Sequence, residues 1–490
     1  MESFDIVNPP GREEEIATLE NYISQNKNII LLGARRVGKT TLLNAIEARK
    51  KESYKVIYYN CEQYREINHL FAYLFARSKK LKIFVSSIGT KEEGELKEER
   101  GLTEEILSKY DCEPFLIENY ARPYSPEKVE EEEIKNSDVF LLILGKDKSE
   151  NVKKEFEFAL KYDIPILCLI KNYSGSNKEK GEIVQEIITH IKNIEKEKGG
   201  MCTYKRYYSL VEFKSVLEEC IKNEKERWIG TTIDKYRKEE FRKVGDKFFE
   251  ARKQSKDTFL ILIDELGELR KDGKNNFEDF LAYLRGKTKE ANNARISFVL
   301  TGSENVFTLE SQKYFSDFEI VEINPFSKNV AKDVLRKIMK IEFEDVILEK
   351  IVALCGTLPA DIKNFGEKFE WIIKANGKEK WKDAIIKSIT AIVNKEGYRI
   401  EELFFKNLSS ETRNFLEEVI IHLPATKNEM KIYFPHENFE GILKEVTQNF
   451  IILKQDEGLK YDCVSRLLRL CVIKRKNPSL FNGIISSDIK

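Results

Sequence analysis

The run Gly33-Ala-Arg-Arg-Val-Gly-Lys-Thr40 has the pattern GxxxxGK[ST], whose chemistry is that of a phosphate cradle. Its glycines let the backbone curl until successive N–H groups point inward at anionic oxygens. Lys39 is then placed to reach the β- and γ-phosphates of a nucleotide, and Thr40 to offer a hydroxyl to Mg²⁺. The helix that begins here turns its positive end toward the same anions. Gly33, Arg36, Gly38, Lys39, Thr40 and Thr41 are therefore the candidate ATP contacts, with Thr40 also a candidate metal ligand. A pair of acids far downstream completes this chemistry. Thr258-Phe-Leu-Ile-Leu-Ile-Asp-Glu265 is an apolar run ending in two carboxylates, which a buried strand tolerates only beside a cation or water. Asp264 is the second candidate metal ligand, holding Mg²⁺ through water. Glu265 is the candidate catalytic base, polarising the water that attacks the γ-phosphate.

These residues need strands to carry them and helices to follow. Ile29-Ile-Leu-Leu32 supplies the strand before the loop, and Thr41-Leu-Leu-Asn-Ala-Ile46 continues the helix after it. Upstream, Pro9-Pro10-Gly11 sets a loop, and Arg12-Glu13 opens an amphipathic helix whose acids suit its positive end. Tyr54–Tyr59 reads as a second strand by its β-branched and aromatic content, with a helix following to about Ser78. Arg295–Ser303 is a strand ending in a polar turn, and Phe318–Ile323 a further strand. Ser327 then caps a helix behind Pro325. Residues 327–395 are helical by pattern, and from Leu403 the order is helix, helix, helix, hairpin. The hairpin is Phe450–Asp462, turning at Asp456-Glu-Gly458, which makes a winged-helix arrangement.

More than two hundred residues separate Lys39 from Asp264, which leaves room for an inserted domain. Between about 81 and 224, strands at Lys82–Ser87, Pro114–Glu118, Asp138–Gly145, Pro165–Ile170 and Tyr204–Tyr208 alternate with helices. Apolar strands alternating with helices predict a parallel sheet covered on both faces. The expected fold class is α/β throughout, divided as a P-loop core (1–80), an insert (81–224), the core resumed (225–326), a helical lid (327–395) and a winged helix (396–490).

Composition bounds the partners. Lys plus Arg (83) equals Asp plus Glu (83) in the 490 residues, so no global field draws the chain to nucleic acid or anionic lipid. No apolar run reaches membrane-spanning length, and the first residues lack the basic start and apolar stretch of a signal peptide, so the expected location is cytoplasmic. The eight cysteines contain no CxxC pair and read as buried free thiols.

On these motifs, with Gly11-Arg-Glu-Glu-Glu-Ile16 and the turn Cys355-Gly-Thr-Leu-Pro-Ala-Asp-Ile362, the chain outside the insert resembles archaeal-type AAA+/STAND P-loop ATPases. The resemblance implies that the Gly11 segment packs beside the adenine and that Pro359 lies over the nucleotide. It also makes Ser303 the sensor that contacts the γ-phosphate or lytic water, although a plain Thr-Gly-Ser turn accounts for that residue equally well. The insert resembles TIR-like and deoxyribosyltransferase-like domains, with a flavodoxin-like fold, on Ile83-Phe-Val-Ser-Ser87, Leu96-Lys-Glu-Glu-Arg100, Ile134-Lys-Asn-Ser-Asp138 and Glu155-Phe-Glu-Phe-Ala159. That likeness makes Glu155 the candidate catalytic carboxylate for NAD or a related nucleotide. Lys153-Lys154 departs from the tryptophan-cysteine pair usual in TIR domains, and an insert used for ligand binding or oligomer contacts stays open.

Two functions follow as expectations. The first is a Mg-ATP switch ATPase that forms a homo-oligomer on activation and carries a TIR-like effector or sensor, in antiviral defence. The second is a DNA-associated ATPase of the origin-binding or mobile-element sort, using the winged helix; its second long helix, near Phe439–Asn449, lacks the net basic face that phosphate contacts require. A module in which the insert only captures a nucleotide signal is the third. In any of them Lys39→Ala should abolish tight Mg-ATP binding, because backbone amides alone leave the phosphate charge under-neutralised. Unchanged ATP affinity in calorimetry would refute the phosphate cradle.

Overall fold

The computed structural model describes residues 6–88, 94–116, 126–146, 149–173, 181–197, 202–253, 256–290, 295–302, 313–405, 408–449, 451–455 and 460–489. Its strands in chain order are β1 (Asn28–Gly33), β2 (Lys55–Asn60), β3 (Leu81–Ser87), β4 (Cys112–Phe115), β5 (Val139–Leu144) and β6 (Ile166–Lys171). They continue with β7 (Cys202–Tyr207), β8 (Phe259–Asp264), β9 (Ile296–Gly302), β10 (Phe318–Ile323), β11 (Ile452–Gln455) and β12 (Lys460–Cys463). The chain divides into two compact units, one made of the residues up to Leu70 and from Phe249 on, the other running Phe71–Phe248.

The first unit holds a parallel sheet of order β10-β1-β9-β8-β2. β8 and β9 are central and buried at every residue, which is why they read as apolar runs rather than alternations. Register pairs Asn60 with Asp264 and Leu32 with Gly302, so the ends of β1, β2, β8 and β9 share one edge of the sheet. Gly33 closes β1 where β10 comes close: a Cβ there would meet Ile323 O at 2.5 Å.

Beyond β10, helices Lys328–Met339, Asp345–Cys355, Pro359–Asn376 and Trp381–Phe405 are followed by Ser410–Val419, Lys427–Tyr433 and Phe439–Gln448, the antiparallel pair β11–β12, and Arg466–Lys476. The expected boundary at 395/396 falls inside helix Trp381–Phe405. Gly397 does not break that helix but admits a close neighbour, since a Cβ there would meet Cys471 Sγ at 3.4 Å. One apolar cluster runs from Leu31 and Leu43 through Leu335 and Phe365 to Leu416 and Leu468, so the expected lid and winged helix share a core. The expected hairpin turn at Asp456–Gly458 lies outside the described residues.

The second unit is a parallel sheet of order β4-β3-β5-β6-β7. Alternate residues feed two cores. Ile83, Leu141 and Leu169 join Leu107 and Phe213, while Phe84, Phe140 and Ile170 join Val152, Phe156 and Ile187. Helices therefore cover both faces, as a parallel sheet requires. The strand expected at Pro114–Glu118 begins earlier, at Cys112, and is the edge strand, where the missing N–H of Pro114 is tolerated. The unit also reaches past the expected 81–224. Phe71 stacks on Phe241 at 5.9 Å between ring centroids, and Phe75 meets Tyr236 edge-on at 4.8 Å, which ties the flanking helices to it. All eight cysteines are buried and free, and no helix among the described residues is long and apolar enough to cross a membrane.

Candidate active site

The loop between β1 and helix Lys39–Lys50 wraps as its sequence requires. Gly38 has φ +99° and open space where a Cβ would stand, so its need for glycine is conformational rather than steric. Lys39 is buried, and its ammonium donates to the carbonyls of Gly33 (3.0 Å) and Ala34 (3.1 Å) across the loop. The side chain thus lies over the cradle that its backbone forms.

Asp264, at the end of β8, is held by hydroxyls from three other elements. Thr40 Oγ1 donates to Oδ2 at 2.7 Å, Tyr58 OH to the same oxygen at 2.9 Å, and Thr301 Oγ1 to Oδ1. The Thr301 oxygen also accepts the Glu265 N–H at 3.0 Å, so one residue aligns both acids. Glu265 has φ +53°, a conformation rare outside glycine and asparagine, and it turns the chain out of the strand at this point. Burial raises the Glu265 carboxyl above the ordinary carboxylate range; Lys39 opposes that shift and Asp264 adds to it. Burial first, and then Asp264, likewise raises the Tyr58 hydroxyl, which stays a neutral donor.

A cavity of about 490 Å³ opens on this edge, within the range of small-molecule sites. Lys39, Thr40, Thr41 and Glu265 line it from the core, Pro9, Pro10 and Arg12 from the amino-terminal segment, and Val334, Ile338, Pro359 and Ala360 from the helices after β10. A phosphate cradle, a hydroxyl beside a carboxylate and an apolar flank in one cavity fit Mg-ATP, with Thr40 and Asp264 able to hold the ion. Arg12 anchors the amino-terminal wall. It donates to Val37 O (2.8 Å) and Asn324 O (2.9 Å), and its guanidinium lies 4.5 Å from the centre of the Phe326 ring.

Arg36 has a second role beside the one expected. It lines the cavity, but its guanidinium turns to the fully buried Asp361, with Nε at 3.0 Å and Nη2 at 2.9 Å from Oδ1. The other Asp361 oxygen accepts from Ser465 Oγ at 2.6 Å. Ser303 lies outside the described residues. Two residues before it, on β9, Thr301 touches both acids, and the signal for it was a hydroxyl directly after the buried apolar run Phe298–Leu300. Tyr58 carried no such signal, because its role depends on β2 lying beside β8.

In the second unit, Glu155 is buried on helix Glu150–Lys161, and its carboxylate accepts from Ser86 Oγ at 2.5 Å. Ser86 is near the end of β3, beside β5, where the strand order reverses direction; ligands of doubly wound sheets bind at that point. Glu157, two residues on, is exposed. Arg100 is buried with its guanidinium on Ser87, and Glu99 is paired with Lys171 at 2.7 Å.

Residues 25–93 match the AAA domain family, and residues 82–222 match a domain of unknown function (DUF4062). No curated protein matches the chain. Among solved structures, the Walker-type ATPase PABY2304 of Pyrococcus abyssi is 16% identical with a TM-score of 0.45, covering 96% of each chain. The Aeropyrum pernix ORC1 protein in complex with DNA is 12% identical with a TM-score of 0.36, covering 97% of this chain and 94% of that one. ORC2 of the same organism, in its ADPNP-ADP complexes, is 11% identical with a TM-score of 0.32, covering 98% and 94%. At these scores the structural likeness carries no assignment. The AAA match and the cradle with its paired acids do: the chain is a P-loop ATP hydrolase.

A base works only when deprotonated, so raising the Glu265 carboxyl predicts that kcat for ATP falls, as pH drops, through an apparent pKa above the ordinary value of about 4.3. An acid limb of kcat that falls at or below the ordinary carboxylate value would contradict this.

Proposed function

We propose that the chain is a nucleotide-operated switch, in which the helices after β10 act as a lid that reads the state of the ATP site. The observation that carries this is the single cavity lined by Lys39, Thr40 and Glu265 on one side and by Val334, Ile338 and Pro359 on the other. When bound, Mg²⁺ supplies positive charge at the β- and γ-phosphate oxygens. Lys39 neutralises the same oxygens from the loop. Glu265 accepts the proton of the attacking water, and Thr301 holds its backbone in place. Loss of the γ-phosphate then changes what Lys39 and the lid wall face.

The division of the chain supports this reading. In this reading the first unit up to β10 is the ATPase core, the helices from Lys328 through Trp381–Phe405 are the lid, and the helices and hairpin from Ser410 on are a winged helix that shares the lid's core. In the winged helix four of the cations are engaged locally. Lys427 and Lys431 both pair with Glu440, and Arg475 and Lys476 pair with Glu401, Glu417 and Glu418. A helix with its charge so neutralised supports a packing and reporting role over reading DNA.

For the insert we propose a ligand site at the switch point of its sheet, taking NAD or a related nucleotide, with Glu155 as its polar anchor. The family matched there has no assigned function, so this rests on the burial of Glu155 and its bond to Ser86. The test is to incubate the protein with Mg²⁺, ATP and NAD, with and without duplex DNA, and to follow both nucleotides. ATP should be consumed without DNA; turnover appearing only with DNA would favour a DNA-associated ATPase. Glu155→Gln should weaken NAD binding or cleavage by about tenfold or more, whereas Glu157→Gln changes little. Equal effects from the two would refute the insert site.

A further inference from the structure

β2 pairs with β8 so that Asn60 stands opposite Asp264 and Tyr58 opposite Leu262. Residues two apart on a strand share a face, so Tyr58 and Asp264 are diagonal neighbours on one face of the sheet. An aromatic side chain is long enough to cross that diagonal, and the Tyr58 phenol donates to Asp264 Oδ2 at 2.9 Å. Thr40 Oγ1 donates to the same oxygen at 2.7 Å. A hydroxyl has one proton and two lone pairs. With its proton committed to Asp264, Thr40 keeps its lone pairs turned away from the carboxylate and available to a cation. Asp264 therefore sets the direction in which Thr40 can act as a ligand, and whatever holds Asp264 sets it too. Tyr58 from β2 and Thr301 from β9 hold it from the two sides of β8.

We infer that Tyr58 is a positioning residue for the metal ion of ATP hydrolysis: it fixes Asp264 Oδ2 where that oxygen orients the Thr40 hydroxyl, and so sets the affinity for Mg²⁺ rather than the affinity for the nucleotide. This role presupposes that Thr40 and Asp264 hold the ion. Two observations support it. Tyr58 is not among the residues that line the nucleotide cavity, so removing its hydroxyl takes no contact from ATP. Its bond also falls on the Asp264 oxygen that Thr40 uses, whereas Thr301 takes the other one. Outer partners that orient metal ligands in this way are typically worth about 10–100-fold in metal affinity. The adjacent Tyr59 provides the comparison. It lies on the opposite face of β2 and is buried, and its hydroxyl donates to Tyr64 O at 3.1 Å and meets His69 Nδ1 at 3.0 Å.

The test uses the full chain as wild type, Tyr58→Phe and Tyr59→Phe. Binding of a non-hydrolysable ATP analogue is followed by calorimetry in excess EDTA and at increasing free Mg²⁺, and steady-state hydrolysis is measured over the same Mg²⁺ range. In EDTA, Tyr58→Phe should bind the analogue as wild type does. It should need roughly tenfold more free Mg²⁺ both for half of the metal-dependent gain in affinity and for half-maximal hydrolysis, with kcat at saturating Mg²⁺ within about twofold of wild type. Tyr59→Phe should match wild type in its Mg²⁺ requirement, although it too loses a buried hydroxyl bond and should melt lower. An unchanged Mg²⁺ requirement in Tyr58→Phe, an equal loss of analogue affinity with and without Mg²⁺, or the same shift in Tyr59→Phe would overturn the role. If Mg²⁺ alters neither binding nor turnover in wild type, Thr40 and Asp264 do not hold the ion, and the role of Tyr58 falls with them.

Discussion

Asp264 ends a strand in which every residue is buried, and its carboxylate is held by hydroxyls of Thr40, Tyr58 and Thr301. An ionised group so placed is tolerated only when its oxygens are saturated, and three donors from three elements do this. The arrangement fixes the order of the sheet around it. Tyr58 reaches Asp264 because β2 pairs with β8, and Thr301 does because β9 pairs with β8 on the other side. Thr40 must come from the helix behind β1, so the phosphate loop is registered against the acids by the same bonds. Replacing any of the three leaves an acceptor short in a dry site.

A second buried carboxylate links this centre to the rest of the first unit. Asp361 is raised by burial, against the pull of Arg36 and the Ser465 hydroxyl. Removing one partner of such a buried pair is destabilising by roughly 3–5 kcal/mol, because the other charge is left unpaired. The pair therefore ties the phosphate loop to helix Pro359–Asn376 and, through Ser465, to helix Arg466–Lys476. Arg35 adds a further tie, donating to Leu403 O at 2.7 Å.

The cradle and the acid pair were legible in the sequence because chemistry demands particular residue types at particular spacings there: two glycines, Lys39 and Thr40, then Asp264-Glu265 after an apolar run. Strand and helix alternation likewise exposed both parallel sheets. What escaped was anything that depends on neighbours in space. Arg36 reads as a phosphate contact, and its pairing with Asp361, 325 residues on, is visible only in the fold. Tyr58 and Thr301 are ordinary strand residues until β8 is placed between them. The boundary expected at 395/396 falls inside helix Trp381–Phe405, where Gly397 admits Cys471, a contact that depends on the fold.

The central claim is that Glu265 is the base of an ATP hydrolase whose nucleotide site is otherwise built by Lys39, Thr40 and Asp264. Single-turnover hydrolysis by Glu265→Gln tests it most directly, since the substitution keeps shape and removes only the base. ATP should bind as in wild type while cleavage slows by roughly 10²-fold or more. Cleavage within a few-fold of wild type, with ATP bound, would place the base elsewhere and contradict the account.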